Sequence, residues 1–577
     1  MGFCQSVSCN NLTDGNPEPY GDISGPGVMI GFVGSGYLTC IILTAYYLTT
    51  YDPRKGPSGG GREGGGGYTV KSFGDYPANP VDVQVLRWVR GGVKLAWGVV
   101  PVRKGVFTHG GMDLEGAFHQ AIVNICDAQI LTGAGILISG FVSLKCGGGR
   151  PVSAYHWQII VSLAWFASIS HLAGVSAIRQ HLKAHPRKRN ARLLLMALTL
   201  VALLVALTPT AYFSWFFFAV PWSPAVCYFG TGVDPSSVPF WNGGAFKNRD
   251  SPSFQSMMFS IVLLVYGAVV RCSTTFRKLS FALRVRVRRP VSRGLQKPIL
   301  WIMVRGGRWP RSGMSRYSKT QDLWFYVVQP LVMALFFTLR LMLDLFGSML
   351  FELYWLIGAL AWGSLKLWAA RDSLRGDSRV AFGRYNSVLS RLNEEDQWSF
   401  GQTLAVLLLA LPVWSLVETL FFEARKKETT QSNFSSHHLP NTMLPPPAAT
   451  QQLQQHHHLQ QETTETGNPT AELLMATHFA SAPGLGPCIL GVTTVACVLA
   501  NMFMRGVPMD ANAAMWPGVN DMATVSVLEF WIFEDGALAY LVLALPLSCF
   551  VVFFTGAVDS REAIHNIHQA SCWKDDR

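Results

Sequence analysis

The chain has 577 residues, 49% of them hydrophobic and only 14% charged, with a mean hydropathy of +0.25 and a formal net charge of +12. So few charges cannot coat several water-soluble globules, and the composition points instead to an all-α fold, a polytopic transmembrane helix bundle. The surplus cations fall mostly in three segments between apolar runs, where the positive-inside rule expects them, so the basic balance implies a lipid bilayer as partner and no nucleic acid.

Residues 1–26 hold no Lys or Arg and no long apolar run, which argues against a cleaved signal peptide and predicts an extracellular N-terminus. The main transmembrane region is predicted over residues 27–422, with about eight spans. The first, from about Gly27 to Thr50, has the roughly 20 residues a bilayer requires and is followed by Arg54, Lys55 and Arg62. That flank places its C-terminal end in the cytosol and leaves Asn11 of the sequon Asn11-Leu12-Thr13 outside. The opposite orientation would suit Met1-Gly2 with Ser6, a loose myristoylation pattern, and a palmitate on Cys4.

A Gly-rich linker at Gly56–Gly67 leads to Val81–Trp97, where Arg87, Arg90 and Lys94 mix with Trp88 and Trp97. The segment reads either as an interfacial helix, which Gly91-Gly92 would weaken, or as an irregular basic loop. Spans two and three, about His119–Leu144 and Tyr155–Ile178, form a hairpin through Cys146 and Gly147–Gly149. The basic loop Lys183–Arg192 and a fourth span, about Leu193–Phe218, come next. The cation-poor stretch Pro221–Ser253 contains Cys227, for which a disulfide to Cys146 is possible on an oxidising face. The fifth span, about Phe254–Val270, enters the longest basic segment, including Arg271, Arg277, Lys278, Arg284, Arg286, Arg288 and Arg289. That segment suits either anionic inner-leaflet lipid or a solvated loop that fixes topology. Spans six and seven, about Gln321–Leu345 and Ser348–Ala370, turn at Phe346-Gly347, and an eighth covers about Gly401–Phe422.

Residues 423–484 form a low-complexity loop, polar and rich in Gln, His, Thr and Pro over Glu423–Gly467, which contains a second sequon at Asn433 and the triplet His456–His458. Counting spans from an outside N-terminus returns this segment to the outside. The C-terminal region, residues 485–577, holds one or two more spans, about Leu485–Met504 and Phe530–Thr555. The count is ten, with eight or nine as alternatives. Without a CxxC pair or zinc spacing, no metal or cofactor is expected.

Ionisable and amide groups inside spans are functional hypotheses by default. Asp127 shares a polar stripe with Gln120 and Asn124 at i, i+4, i+7, while Gln129 and Thr132 lie on a neighbouring face. His171 has Ala167 and Gly174 one turn to either side and should be buried. Folding the hairpin brings Asp127 and His171 to similar depth, so they are expected to pair, either as a polar clamp between helices or as part of a relay or ligand site. A second group, Arg340, Asp344, Glu352 and Glu418, is expected near the outer ends, neutralising one another or lining a vestibule.

Asp22-Ile-Ser-Gly25 with Gly27-Val28, Asp127-Ala-Gln129 with Thr132-Gly133, Ser153-Ala-Tyr-His-Trp-Gln158, Leu163-Ala-Trp-Phe166, His171-Leu172, Pro209-Thr210 and Phe400-Gly-Gln402 resemble a group of multi-pass membrane proteins of filamentous ascomycete fungi. The resemblance is close over Asp22–Val33 and Gln129–Thr210; the Gly-rich insert and the two C-terminal spans depart from it. It implies the membrane class, in the plasma membrane or secretory pathway, and supplies no catalytic residue. With no HExxH, GxSxG or P-loop, an enzyme is not expected. The readings left are a receptor-like or scaffold membrane protein and, as the alternative, a transporter or channel using the polar groups between spans two and three.

Overall fold

The computed structural model describes residues 19–53, 79–99, 114–146, 152–178, 186–213, 223–229, 252–276, 329–345, 347–375 and 394–410, with isolated positions elsewhere. Asn11, Asn433, the Gly-rich linker, most of the long basic segment and nearly all of the chain beyond residue 418 lie outside the described residues. The helices are α1 (Gly21–Ser24), α2 (Pro26–Thr49), α3 (Pro80–Val99), α4 (Leu114–Cys146), α5 (Ala154–Ala177), α6 (Pro186–Leu207), α7 (Pro252–Thr275), α8 (Gln329–Leu345) and α9 (Met349–Arg375). A further apolar helix, α10, covers Phe400–Ala410. Among the described residues there is no strand, only an isolated bridge between Ser153 and Pro224. The protein is an all-α polytopic membrane bundle.

Among the described residues six helical stretches are long and apolar enough to cross a bilayer: Gly21–Thr49, Gly116–Leu144, Ala154–Ala177, Pro186–Tyr212, Ser256–Ser273 and Met349–Arg371. Large apolar side chains left exposed fall at helical spacing, Leu194, Leu198, Val201 and Val205 on α6 and Met258, Val262, Val265 and Val269 on α7. Such stripes are the faces that meet lipid.

α5 has no polar face, and every one of its residues except Ser168 is buried. A helix apolar all round must be enclosed all round, and α2, α4, α6, α7 and α9 pack about it. Small residues bring the helices close. Gly133 of α4 lies under Ala167, and Gly174 of α5 under Cys126, where an added Cβ would come within 2.8 Å of the Ala167 Cβ and 2.0 Å of the Cys126 Sγ. Indoles reach across as donors, Trp157 Nε1 to the carbonyl of Ala206 at 3.0 Å and Trp165 Nε1 to that of Ala359 at 2.9 Å. On α2, Gly27, Gly31 and Gly34 form a groove that receives Gln402, Ala405 and Leu409 of α10. This small-residue packing runs parallel, with both helices entering from the same side.

Contacts sort the helix ends onto two faces. The first joins the N-terminal ends of α2, α5 and α7 to the C-terminal ends of α6 and α9: Ala154 N donates to Ser223 O, Ser253 Oγ to Phe213 O and Arg371 Nη1 to Ser24 O. On the second, Tyr46 at the end of α2 meets Phe118 at the start of α4, and Arg189 at the start of α6 lies over Phe276 beyond α7. α9 starts on this second face, since Asp82 accepts hydrogen bonds from both Tyr47 Oη and Met349 N.

The six candidate spans therefore alternate between faces, and α8, described over Gln329–Leu345, is not one of them. The turn at Gly347 lies on the face where the first span ends, whereas the expected six–seven hairpin places it on the opposite one. Of the expected spans nine and ten only isolated positions are described, among them Ile489, which is buried, and Thr494, whose Oγ1 bonds Tyr354 Oη at 2.7 Å.

Overpacking at a helix crossing costs about 1–3 kcal/mol. Gly174→Ala is expected to destabilise the full chain by that order in denaturant unfolding from detergent micelles. Combining it with Cys126→Ala should recover most of the loss, because the Cys126 Cβ stands 3.8 Å from the position the new methyl would take. A double variant no better than Gly174→Ala would show that the α4–α5 approach is wrong as described.

Candidate functional site

Helix ends expose four N–H and four C=O groups each, and near a membrane every one must find a partner. On the second face α3 supplies them. Asn79 Oδ1 accepts from Val81 N at 3.0 Å to start α3, and its Nδ2 donates to the Asp344 carbonyl at the end of α8 at 2.8 Å. Asp82, 1% exposed, accepts from Met349 N at 3.0 Å, Leu350 N at 3.2 Å and Tyr47 Oη at 3.2 Å. Ser348 Oγ takes Phe351 N. Eight residues further on, Arg90 donates to the carbonyls of Leu48, Tyr47 and Tyr51. An anion thus sits at the N-terminus of α9 and a cation at the C-terminus of α2, each complementing the helix dipole it meets. The stretch read as an interfacial helix or a basic loop is a helix, and it ties three others together.

On the first face the tie is a buried His–Glu pair. Ser153 is the N-cap of α5, accepting from His156 N, and its Oγ also bonds His156 Nδ1 at 2.7 Å. His156 Nε2 meets Glu395 Oε1 at 2.8 Å, with the two side chains 1% and 2% exposed. Tyr20 N donates to the same oxygen, and Gly27 N to Gln402 Oε1 at 3.2 Å. Arg371 pairs with Asp396, and Ser399 Oγ bonds Asp22. Burial alone would raise the Glu395 pKa, but the hydrogen bond and charge of His156 and the Tyr20 N–H outweigh it and hold the carboxyl below its ordinary value of 4.5. Ser, His and Glu in a row are the residue types of a hydrolytic relay. Here all three are buried and the serine oxygen is committed to capping a helix, so the arrangement is architectural.

Inside the bundle Asp127 and His171, expected to pair directly or through water, share no direct hydrogen bond. Asp127 Oδ2 instead accepts from Arg192 Nη2 of α6 at 2.6 Å, a contact whose side chains are 47% and 19% exposed. The physical reason lies one turn away: the imidazole is turned toward α4's backbone, with His171 Nδ1 3.0 Å from the Cys126 carbonyl. Gln120 Nε2 does bond Asn124 Oδ1 at 3.2 Å, as their shared stripe predicts. Thr132 spends its hydroxyl on the Ala128 and Gln129 carbonyls of its own helix. Gln129 and His171 come together, lining a cavity of about 10 Å³ between α4, α5 and α6 with Gly133, Ala167, Met196 and Thr199.

The expected outer group is described only in part. Glu352, at the start of α9, acts electrostatically on buried Arg271 of α7, whose guanidinium lies 3.9 Å from the centre of the Trp355 ring. Both lie on the second face, where α9 starts and α2 ends. Asp344 is buried on that face, Glu418 is exposed, and the Arg340 side chain lies outside the described residues. Cys227 is disulfide-bonded, while the side chain of Cys146, its expected partner, lies outside the described residues. The end of α4 does approach Cys227, with the Phe141 ring 6.2 Å from that of Phe229.

Sequence reasoning passed over Asp82, Arg90, His156, Glu395 and Arg192 as sites. Two signals were available: a lone carboxylate three residues after Asn79 in an otherwise apolar helix start, and a serine three residues before a histidine at a span entrance. The long-range partners left none. No protein-family model, curated protein or solved structure matches the chain.

Removing a buried carboxylate that serves three donors costs about 2–4 kcal/mol, whereas a half-exposed ion pair is worth about 1 kcal/mol or less. Asp82→Ala should therefore lower the unfolding free energy severalfold more than Asp127→Ala, a ranking that chemical denaturation of the two variants measures directly. Glu395 adds a pH dependence. A carboxyl with a lowered folded pKa contributes stability that is complete above its unfolded value and disappears as pH falls through the folded one. The thermal midpoint should drop below about pH 4.5, and Glu395→Gln should start lower at neutral pH and show a shallower acid limb; identical acid limbs would remove Glu395 from the account.

Proposed function

We propose that this integral membrane protein is a scaffold of receptor-like layout, a closed bundle that offers two braced faces to partners and moves no solute. The observation that carries the reading is the enclosure of α5, buried at every residue but Ser168, beside a cavity of only about 10 Å³. A transport path needs polar groups that face water along the membrane normal, and here the polar groups at membrane depth are mostly spent on neighbouring backbone. The face bearing Arg187, Lys188, Arg189 and Arg271 is the cytosolic one by the positive-inside rule, with anionic lipid as its counterpart. The opposite face carries disulfide-bonded Cys227, which suits an oxidising exterior reached through the secretory pathway. The resemblance to multi-pass proteins of filamentous fungi agrees with this class. A transporter or channel is the second reading, favoured by the convergence of Gln129 and His171 on the cavity.

Ion and metabolite profiling separates the two. Cells lacking the protein are compared with cells carrying the wild type or Gln129→Leu, at matched surface expression. Scaffolding predicts no single solute whose level follows the protein. A solute that accumulates or disappears with the deletion, fails to recover with Gln129→Leu, and crosses liposomes containing the purified wild type would establish transport instead.

A further inference from the structure

Two residues that line the cavity between α4, α5 and α6 each carry a buried polar atom with no hydrogen-bond partner, Gln129 Oε1 and His171 Nε2. Their residues are 7% and 2% exposed, so bulk solvent does not satisfy them. Both are acceptors. His171 Nδ1 faces the carbonyl oxygen of Cys126, an acceptor that requires the ring proton at Nδ1 and leaves a lone pair at Nε2. Gln129 presents its amide oxygen. Two acceptors facing one space cannot bond each other; they need a donor between them, and an acceptor stranded away from water is costly. A volume of about 10 Å³ admits a ligand of one non-hydrogen atom.

We propose that this cavity is a binding site for a single water molecule, which donates one hydrogen to His171 Nε2 and the other to Gln129 Oε1. Its oxygen keeps two lone pairs, and the rim of the cavity includes the hydroxyl-bearing Ser168 and Thr199. Thr199 Oγ1 already donates to the carbonyls of Leu195 and Met196. The water joins α4 to α5 at a level where those helices are also held by the His171–Cys126 hydrogen bond and by the packing of Gly133 against Ala167 and Gly174 against Cys126. It gives the second ring nitrogen of His171 and the amide oxygen of Gln129 the donors that no neighbouring side chain supplies. The chemistry required is that of a small double donor, which ammonium shares with water.

X-ray radiolytic hydroxyl-radical footprinting of the full chain in lipid nanodiscs, read by mass spectrometry, tests the site, because ionising radiation splits a bound water into radicals where bulk solvent cannot reach. Met196 lines the cavity and is 4% exposed; Met257 on α7, at 6%, is the control. Oxidation of Met196 is expected several-fold above that of Met257 and should fall to the control level in Gln129→Leu, which removes one acceptor. Thr199→Val, which alters only the rim, accompanies it as a variant that should fold and retain the excess. Equal labelling of Met196 and Met257 in the wild type overturns the proposal. A melting temperature that rises with ammonium chloride but not with sodium chloride overturns water as the occupant and assigns the site to ammonium.

Discussion

Removal of α5 from both water and lipid is the constraint on which the other contacts depend. A helix with no polar face gains nothing from orientation and everything from enclosure. Its neighbours must then surround it, and their own outer faces become the lipid-facing stripes of α6 and α7. Enclosure requires close approach, which explains why glycine and alanine stand where α4 crosses α5 and why tryptophans fill the wider gaps. Trp165 illustrates the second case. Its ring packs on Gly363, and its N–H reaches the Ala359 carbonyl of the same neighbouring helix.

Enclosing α5 transfers the polar problem to the helix ends. Each end carries unsatisfied backbone groups, and in this bundle many are capped by side chains distant in sequence. Asp82 reaches the start of α9 across more than 260 residues, and Gln402 the start of α2 across 375. Caps of this kind do more than satisfy donors. They fix which helix end lies beside which, so the alternation of the six candidate spans follows from contacts on the two faces. The same caps account for three of the described charged groups: Asp82 and Arg90 are bound to helix-end backbone, and Glu395 to His156 and the Tyr20 N–H.

The all-α membrane class and the first five spans were legible because hydrophobic length is a local property of the chain. His171 was correctly expected to be buried, since Ala167 and Gly174 flank it at helical spacing. Its partner was not legible. Depth matching placed Asp127 beside it, but depth leaves rotation about the helix axis undetermined, and a carboxylate turned toward α6 meets Arg192. The end of α8 was not legible for a related reason: it lies on the face where α9 starts, a placement set by the bonds of Asn79 and Asp82 and by nothing in its own apolar composition. Asp82 offered only the local signal of a carboxylate in an apolar helix start, and the partners of Asp82 and Glu395 were not legible because most of them lie hundreds of positions away.

Rotation also explains why the polar residues of α4 have separate fates. Asp127 and Gln129 are two positions apart, about 200° around the helix at 3.6 residues per turn. One therefore turns toward the guanidinium of Arg192 at the edge of the bundle while the other turns inward to the cavity it shares with His171. An ionised carboxylate in the second position would have to be desolvated against an imidazole whose donor is already committed to Cys126. An amide carries no such penalty. The helix thus places its charge where half-exposure screens it and its neutral amide where burial is complete, and the division between a peripheral ion pair and a buried polar junction is set by two residues of helical phase.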